Sequence, residues 1–160
     1  MMHIFPYLRE QINSGKTREE IYRILDSVTD SRKFIWFPNA EFSGKVSSFY
    51  FTIRPEFGYR NSFAPVLTGT MTEKKEGTMI DIVLQLHIFV RMFIVIWSGG
   101  LFLFFLFGVL GVYMDIIDGT GGIILILVPI GMITASQIIM RFGFYSSARK
   151  AQKRLRELIC

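Results

Sequence analysis

Tyr59, Arg60, Asn61 and Ser62 set an aromatic ring, a fork-shaped cation and two hydrogen-bonding side chains side by side. A guanidinium can donate two parallel hydrogen bonds to one anion, so this group is the candidate ligand or partner loop, suited to a phosphate or carboxylate. The competing use of the same residues is to tie down the backbone of a turn. Catalytic patterns elsewhere are thin. The two histidines are His3 and His87. His87 and Arg91 are four apart and would share a helix face only if a helix began early, which is slender support for a lipid-modifying enzyme. The one cysteine is Cys160, so neither a disulfide within the chain nor a Cys-His pair is expected. No His, Cys or carboxylate spacing suits a metal. Ser14-Gly15-Lys16-Thr17 ends like a phosphate-binding loop. Its required leading glycine is replaced by Glu10, and no strand is expected before it. Asp115 and Asp118 read as solvated turn acids rather than a cation site. No catalytic residue, cofactor or metal is assigned.

The elements around these residues are dominated by two uncharged runs. Met92 to Met114 contains 23 residues without a charge, and Gly122 to Met140 contains 19. At 1.5 Å per residue the longer run reaches about 34 Å, enough to cross a hydrocarbon core of about 30 Å. Two such runs in 160 residues leave too little chain to bury them as soluble core helices. They predict a transmembrane helical hairpin over residues 89–140. Pro129 should bend the second helix locally. Gly108 and Gly111 on the first helix, and Gly131 and Ala135 on the second, are expected to pack the two helices together, with dimerisation as the alternative use. Neither run carries a buried ionisable side chain, which argues against an ion pathway.

Charge orients the hairpin. The connection Asp115 to Gly121 contains no Lys or Arg, whereas residues 141–160 hold six, against one Glu. Arg91 precedes the first run. The positive-inside rule then places both flanks, and both termini, in the cytoplasm. Arg91, Arg141, Arg149, Lys150 and Lys153 become candidate contacts for lipid headgroups. The net charge of +5 is therefore mostly a property of the tail. The first 87 residues are nearly balanced, so nucleic acid is not an expected partner. The opening residues lack a basic segment followed by an apolar core, and no signal peptide is expected.

The remainder reads as a small α+β unit. Residues 1–41 supply an amphipathic helix and a linker. Thr17 and Glu20 form a capping-box pattern, and Ile21, Ile24, Leu25 and Val28 follow on one face, predicting a helix from Arg18 to about Ser27. Residues 42–88 supply an antiparallel sheet of three predicted strands: Lys45 to Arg54, Pro65 to Thr72 and Thr78 to His87. The charged turn ending at Gly77 joins the last two. Residues 141–160 supply a basic helix from Ser146 to Ile159, with Ala148, Ala151, Leu155 and Leu158 as its apolar stripe. The predicted fold class is thus an α+β membrane protein: a small antiparallel sheet with N- and C-terminal helices, interrupted by a two-helix transmembrane hairpin.

Tyr59-Arg60-Asn61-Ser62-Phe63, Pro65-Val66, Gly69, Gly77-Thr78, Leu86-His87 and Phe89-Val90 together resemble a family of uncharacterised small bacterial two-span membrane proteins. The resemblance covers roughly residues 42–158. The order of elements also resembles a pleckstrin-homology-like module with membrane helices inserted before its last helix. Such a module has seven strands, against the three or four counted here. The resemblance implies the bacterial cytoplasmic membrane and supplies no catalytic residues.

The functional expectation is a non-enzymatic membrane protein whose membrane-proximal β unit binds a ligand or partner. The bilayer is one partner, and a second copy or another membrane protein is the candidate for the next. The alternative is an immunity or accessory protein acting through its spans on a toxin or larger membrane complex.

Overall fold

The computed structural model describes residues 5–30, 41–56 and 61–160. Its elements are β1 (Tyr7–Ser14), α1 (Arg18–Val28), β2 (Thr29–Asp30), β3 (Phe42–Val46), β4 (Tyr50–Pro55), β5 (Pro65–Lys74), β6 (Gly77–Leu86), α2 (Ile88–Tyr113) and α3 (Gly119–Ile159). The chain divides into two compact units. One comprises Met1–His87 with Gly143–Cys160, and the other Ile88–Phe142.

The first unit is built on a six-stranded sheet in the order β1-β6-β5-β4-β3-β2. All pairs are antiparallel except β2 with β3. Six strands replace the three predicted, for three reasons. Lys45 to Arg54 is not one strand: the chain turns at 47–49, and Ser47 N–H bonds back to the Tyr50 carbonyl at 2.9 Å. β1 escapes the alternation test because only Leu8 and Ile12 of its inward set are apolar. β2 is two residues long, too short for any period to register.

Alternation on the central strands sends Ile80, Ile82, Leu84 and Leu86 to the buried face and Met79, Asp81, Val83 and Gln85 to the other. Register then builds rows across the sheet. Leu8 opposes Leu84, Leu84 opposes Leu67, and Leu67 opposes Ile53. Each fully buried Leu or Ile side chain contributes about 1.5–3 kcal/mol. Gly77 begins β6 with φ of 125°, a conformation that favours glycine, and closes the β5–β6 turn.

Helix α1 starts where the capping box predicts. Glu20 N–H donates to Thr17 Oγ1 at 3.3 Å, and Thr17 N–H donates to Glu20 Oε2 at 2.8 Å. Ile21 and Leu25 are fully buried. The C-terminal segment of α3 completes this unit, burying Phe144, Ala148, Ala151, Leu155 and Ile159. It is fastened to β1: the Ser14 hydroxyl donates to the Ile159 carbonyl, and Gln152 Nε2 donates to Glu10 Oε2 at 2.9 Å. The predicted helix from Ser146 is therefore no separate element. It is the end of one 41-residue helix that passes through Pro129 without a break.

The second unit consists of α2, the connection 114–118 and the first part of α3. Both helices are long and apolar enough to cross a membrane, and only 11% of the most apolar window of each is buried. Phe89, Phe93, Ile96, Phe104 and Phe107 all stand exposed on α2. Asp118 ends the connection as a cap, its Oδ1 accepting from Gly121 N–H at 3.1 Å. The helices approach at small residues. A side chain at Gly108 would run into Leu125, and one at Gly122 into Val112.

Candidate functional site

Within the first unit, β1 and the C-terminal segment of α3 border an open cleft of about 510 Å³. Its lining is Arg9 and Glu10 from the strand, with Arg149, Gln152, Lys153 and Arg156 from the helix. The four helix residues fall at i, i+3, i+4 and i+7 and so share one face. β1 is an edge strand, paired only with β6 among the described residues, which leaves this side of the sheet open.

Counter-charges are distributed unevenly around the cleft. Glu10 is engaged by Arg156 and by Gln152. Arg9 is engaged by Asp81, with Nε donating to Oδ1 at 3.0 Å. That hydrogen bond, helped by the charge of Arg9, holds the Asp81 carboxyl below its ordinary value and raises the Arg9 guanidinium above its own. Arg154, outside the cleft, holds Glu41 through two bonds of 2.6 Å and Glu157 at 3.2 Å. The Arg154 hydrogen bonds hold Glu41 below the usual carboxylate range. Arg149 and Lys153 are exposed, and neither has an ion pair among the described residues.

Half of the predicted ligand loop is described. Tyr59 and Arg60 lie outside the described residues. Asn61 is committed to internal bonds: Nδ2 donates to the Gly143 carbonyl at 2.9 Å and to Ser147 Oγ at 2.7 Å, while Oδ1 accepts from Phe63 N–H at 2.9 Å. Ser62 is exposed in the adjoining turn. Here the turn-fastening use of a polar loop accounts for Asn61.

Among the candidate headgroup contacts, Arg149, Lys150 and Lys153 are exposed, while Arg91 and Arg141 are half-buried. His87 is half-buried between β6 and α2. Lys16 reaches the Leu158 carbonyl at 3.4 Å, so it is a tether to the end of α3 rather than part of a phosphate loop. A strand does precede it, contrary to expectation, but Glu10 lies inside that strand. Among the described residues no group of three His, Cys, Asp or Glu could hold a metal ion.

The glycine candidates separate into two sets. Gly108 and Gly111 are buried. Gly131 and Ala135, expected on the same interface, are exposed, and nothing stands within 4 Å of a Cβ added at Gly131. The reason is angular. Gly122, Leu125 and Pro129 follow one helix face, and at 3.6 residues per turn Gly131 and Ala135 point away from it.

Sequence reasoning did not single out Arg9, Glu10, Gln152 and Arg156 as a group. The helical half was legible in the 149-152-153-156 spacing. The strand half was hidden because β1 was not recognised. No protein-family model matches the chain, and no curated protein matches it in sequence.

Proposed function

We propose that the chain is a two-span integral membrane protein of the bacterial cytoplasmic membrane, with both termini cytoplasmic, whose sheet-and-helix unit is a non-enzymatic binding module. The observation that carries this is one of connectivity. Residues before α2 and residues after 142 belong to a single folded unit, joined by the Ser14–Ile159 and Asn61–Ser147 hydrogen bonds. A chain that leaves such a unit through one apolar helix and returns to it through another must cross an even number of times. Two exposed apolar helices meet that condition as a transmembrane hairpin. The basic residues 141–156 and the Lys- and Arg-free connection support a cytoplasmic folded unit by the positive-inside rule. Exposed apolar helices of this length are costly in water and favourable in lipid.

Two measurements test it. The full chain should remain in the membrane pellet after alkaline carbonate washing. A reporter active only outside the cytoplasm should be silent when fused after Cys160 and active when inserted beside Asp118. Release by carbonate, or the reverse reporter pattern, would sink the proposal.

A second reading is an immunity or accessory protein acting through its spans on a toxin or larger membrane complex. It is favoured by Gly131 and Ala135, together with Gly99 and Gly100 on α2, which are exposed and unused in the packing of the two helices. Cysteine placed at Ala135 in a Cys160→Ser background should then cross-link in native membranes. A cross-link to another protein supports this reading, and none counts against it.

A further inference from the structure

We propose that the cleft between β1 and the C-terminal segment of α3 is a binding site for a phosphate-bearing anion, with Arg149 and Lys153 as its principal ligands. The site deepens the binding-module reading. It does not require that the apolar helices cross a bilayer, and only a lipid source for the phosphate would.

The argument begins with the pattern of neutralisation. Arg9, Arg154 and Arg156 each hold a carboxylate. Arg149 and Lys153 have none among the described residues, although they stand one turn apart on the same helix face and repel each other. Of the four cations that line the cleft, Arg9 and Arg156 are compensated, and Arg149 and Lys153 have no counter-charge among the described residues.

Glu10 would oppose an anion if it were bare. It is already covered by Arg156 and by the Gln152 amide. Its carboxylate fixes Arg156 beside the cleft and thus acts as a positioning group. Four cations against this one covered acid leave the lining positive. Cations of one sign gathered on one lining raise the local potential, which favours an anion there.

Phosphate fits the donor types. The Arg149 guanidinium presents a planar fork that matches two phosphate oxygens, and Lys153 adds a point charge with rotatable donors. Gln152 carries an amide on the same face. A volume of about 510 Å³ exceeds the need of a bare phosphate. It falls within the range of about 300–1,000 Å³ usual for small-molecule sites, so the organic part of a phosphate ester has room. A phospholipid headgroup and a soluble phosphate ester share this chemistry.

The test uses the full chain. For the soluble source, the detergent-solubilised protein is titrated with inorganic phosphate and with glycerol 3-phosphate at constant ionic strength, reading its melting temperature. For the lipid source, the protein is placed in nanodiscs of phosphatidylcholine alone or with phosphatidylglycerol, and retained lipid is counted by native mass spectrometry. The expected result is a saturable rise in melting temperature in the first arm or selective retention of phosphatidylglycerol in the second. Either should weaken about tenfold or more in the Arg149→Gln/Lys153→Gln double variant. Both side chains are exposed and have no ion pair among the described residues, so the variant should fold, which circular dichroism verifies. Lys74→Gln/Lys75→Gln removes the same charge at the β5–β6 turn and should leave binding unchanged. Absence of binding in both arms, or equal weakening by the two double variants, would overturn the proposal. Neither outcome bears on carbonate resistance, so the site and the membrane reading fail separately.

Discussion

The Asn61 side-chain amide donates to the Ser147 hydroxyl at 2.7 Å, fastening the chain just before β5 to the last segment of α3. The same amide donates to the Gly143 carbonyl, and its oxygen accepts from Phe63 N–H. Asn61→Ala should therefore lower the stability of the first unit by about 1–3 kcal/mol, the usual result of leaving hydrogen-bonding groups unpaired. Asn61→Asp keeps the bond from Phe63 and loses both donors, so it should also destabilise. Denaturant titration of the full chain in detergent checks both. An unchanged midpoint would show that the bonds contribute nothing to stability.

Phe51 and Gly69 are register partners on β4 and β5, and the fully buried Phe51 ring lies across the glycine. A methyl group at Gly69 would overlap that ring. Gly69→Val should destabilise by about 1–3 kcal/mol through overpacking, despite the better strand propensity of valine. Pairing it with Phe51→Ala should recover part of the loss, giving a coupling measurable by a double-mutant cycle.

The sequence was most informative where one period ran uninterrupted. The strict alternation of Thr78 to Leu86, the Thr17–Glu20 box and the long uncharged runs each led to the observed element. It was least informative where burial and polarity disagree. β1 turns Glu10 and Ser14 toward α3, and both are satisfied there by partners more than 140 positions away. No local pattern announces such a partner. The same long-range pairing hid half of the anion cleft. The continuity of α3 was obscured for a different reason: its apolar face changes from exposed Ile and Leu to buried Phe144, Ala148 and Ala151, so one helix reads as two.

Gly108 and Gly131 should respond oppositely to the same change. Gly108→Leu forces a side chain into Leu125 and should separate α2 from α3. Gly131→Leu meets open space and should leave that pairing intact. Cysteine pairs across the Gly108–Leu125 approach, tested by cross-linking in a Cys160→Ser background, report the difference. Equal loss of cross-linking in both variants would contradict the separation of the two faces.

Acid should weaken the first unit in a defined window. Asp81 is held below its ordinary value by the Arg9 hydrogen bond, Glu41 by Arg154, and Glu20 by the Thr17 backbone and side chain. All three are depressed carboxylates. Between their folded values and an unfolded value of about 4, the unfolded chain binds more protons, so stability rises with pH there. Their contribution is complete above the unfolded value and is lost as pH falls through the folded values. The raised guanidinium values of Arg9 and Arg154 add nothing in that range, because both groups stay charged. The melting temperature of the full chain should therefore be level around neutral pH and fall below about pH 4. Glu41→Gln should lower it at pH 7 and have less effect at pH 3, where the carboxyl of the unfolded chain is already protonated. A variant whose deficit is the same at both values would show that the Glu41–Arg154 bond makes no pH-dependent contribution to stability.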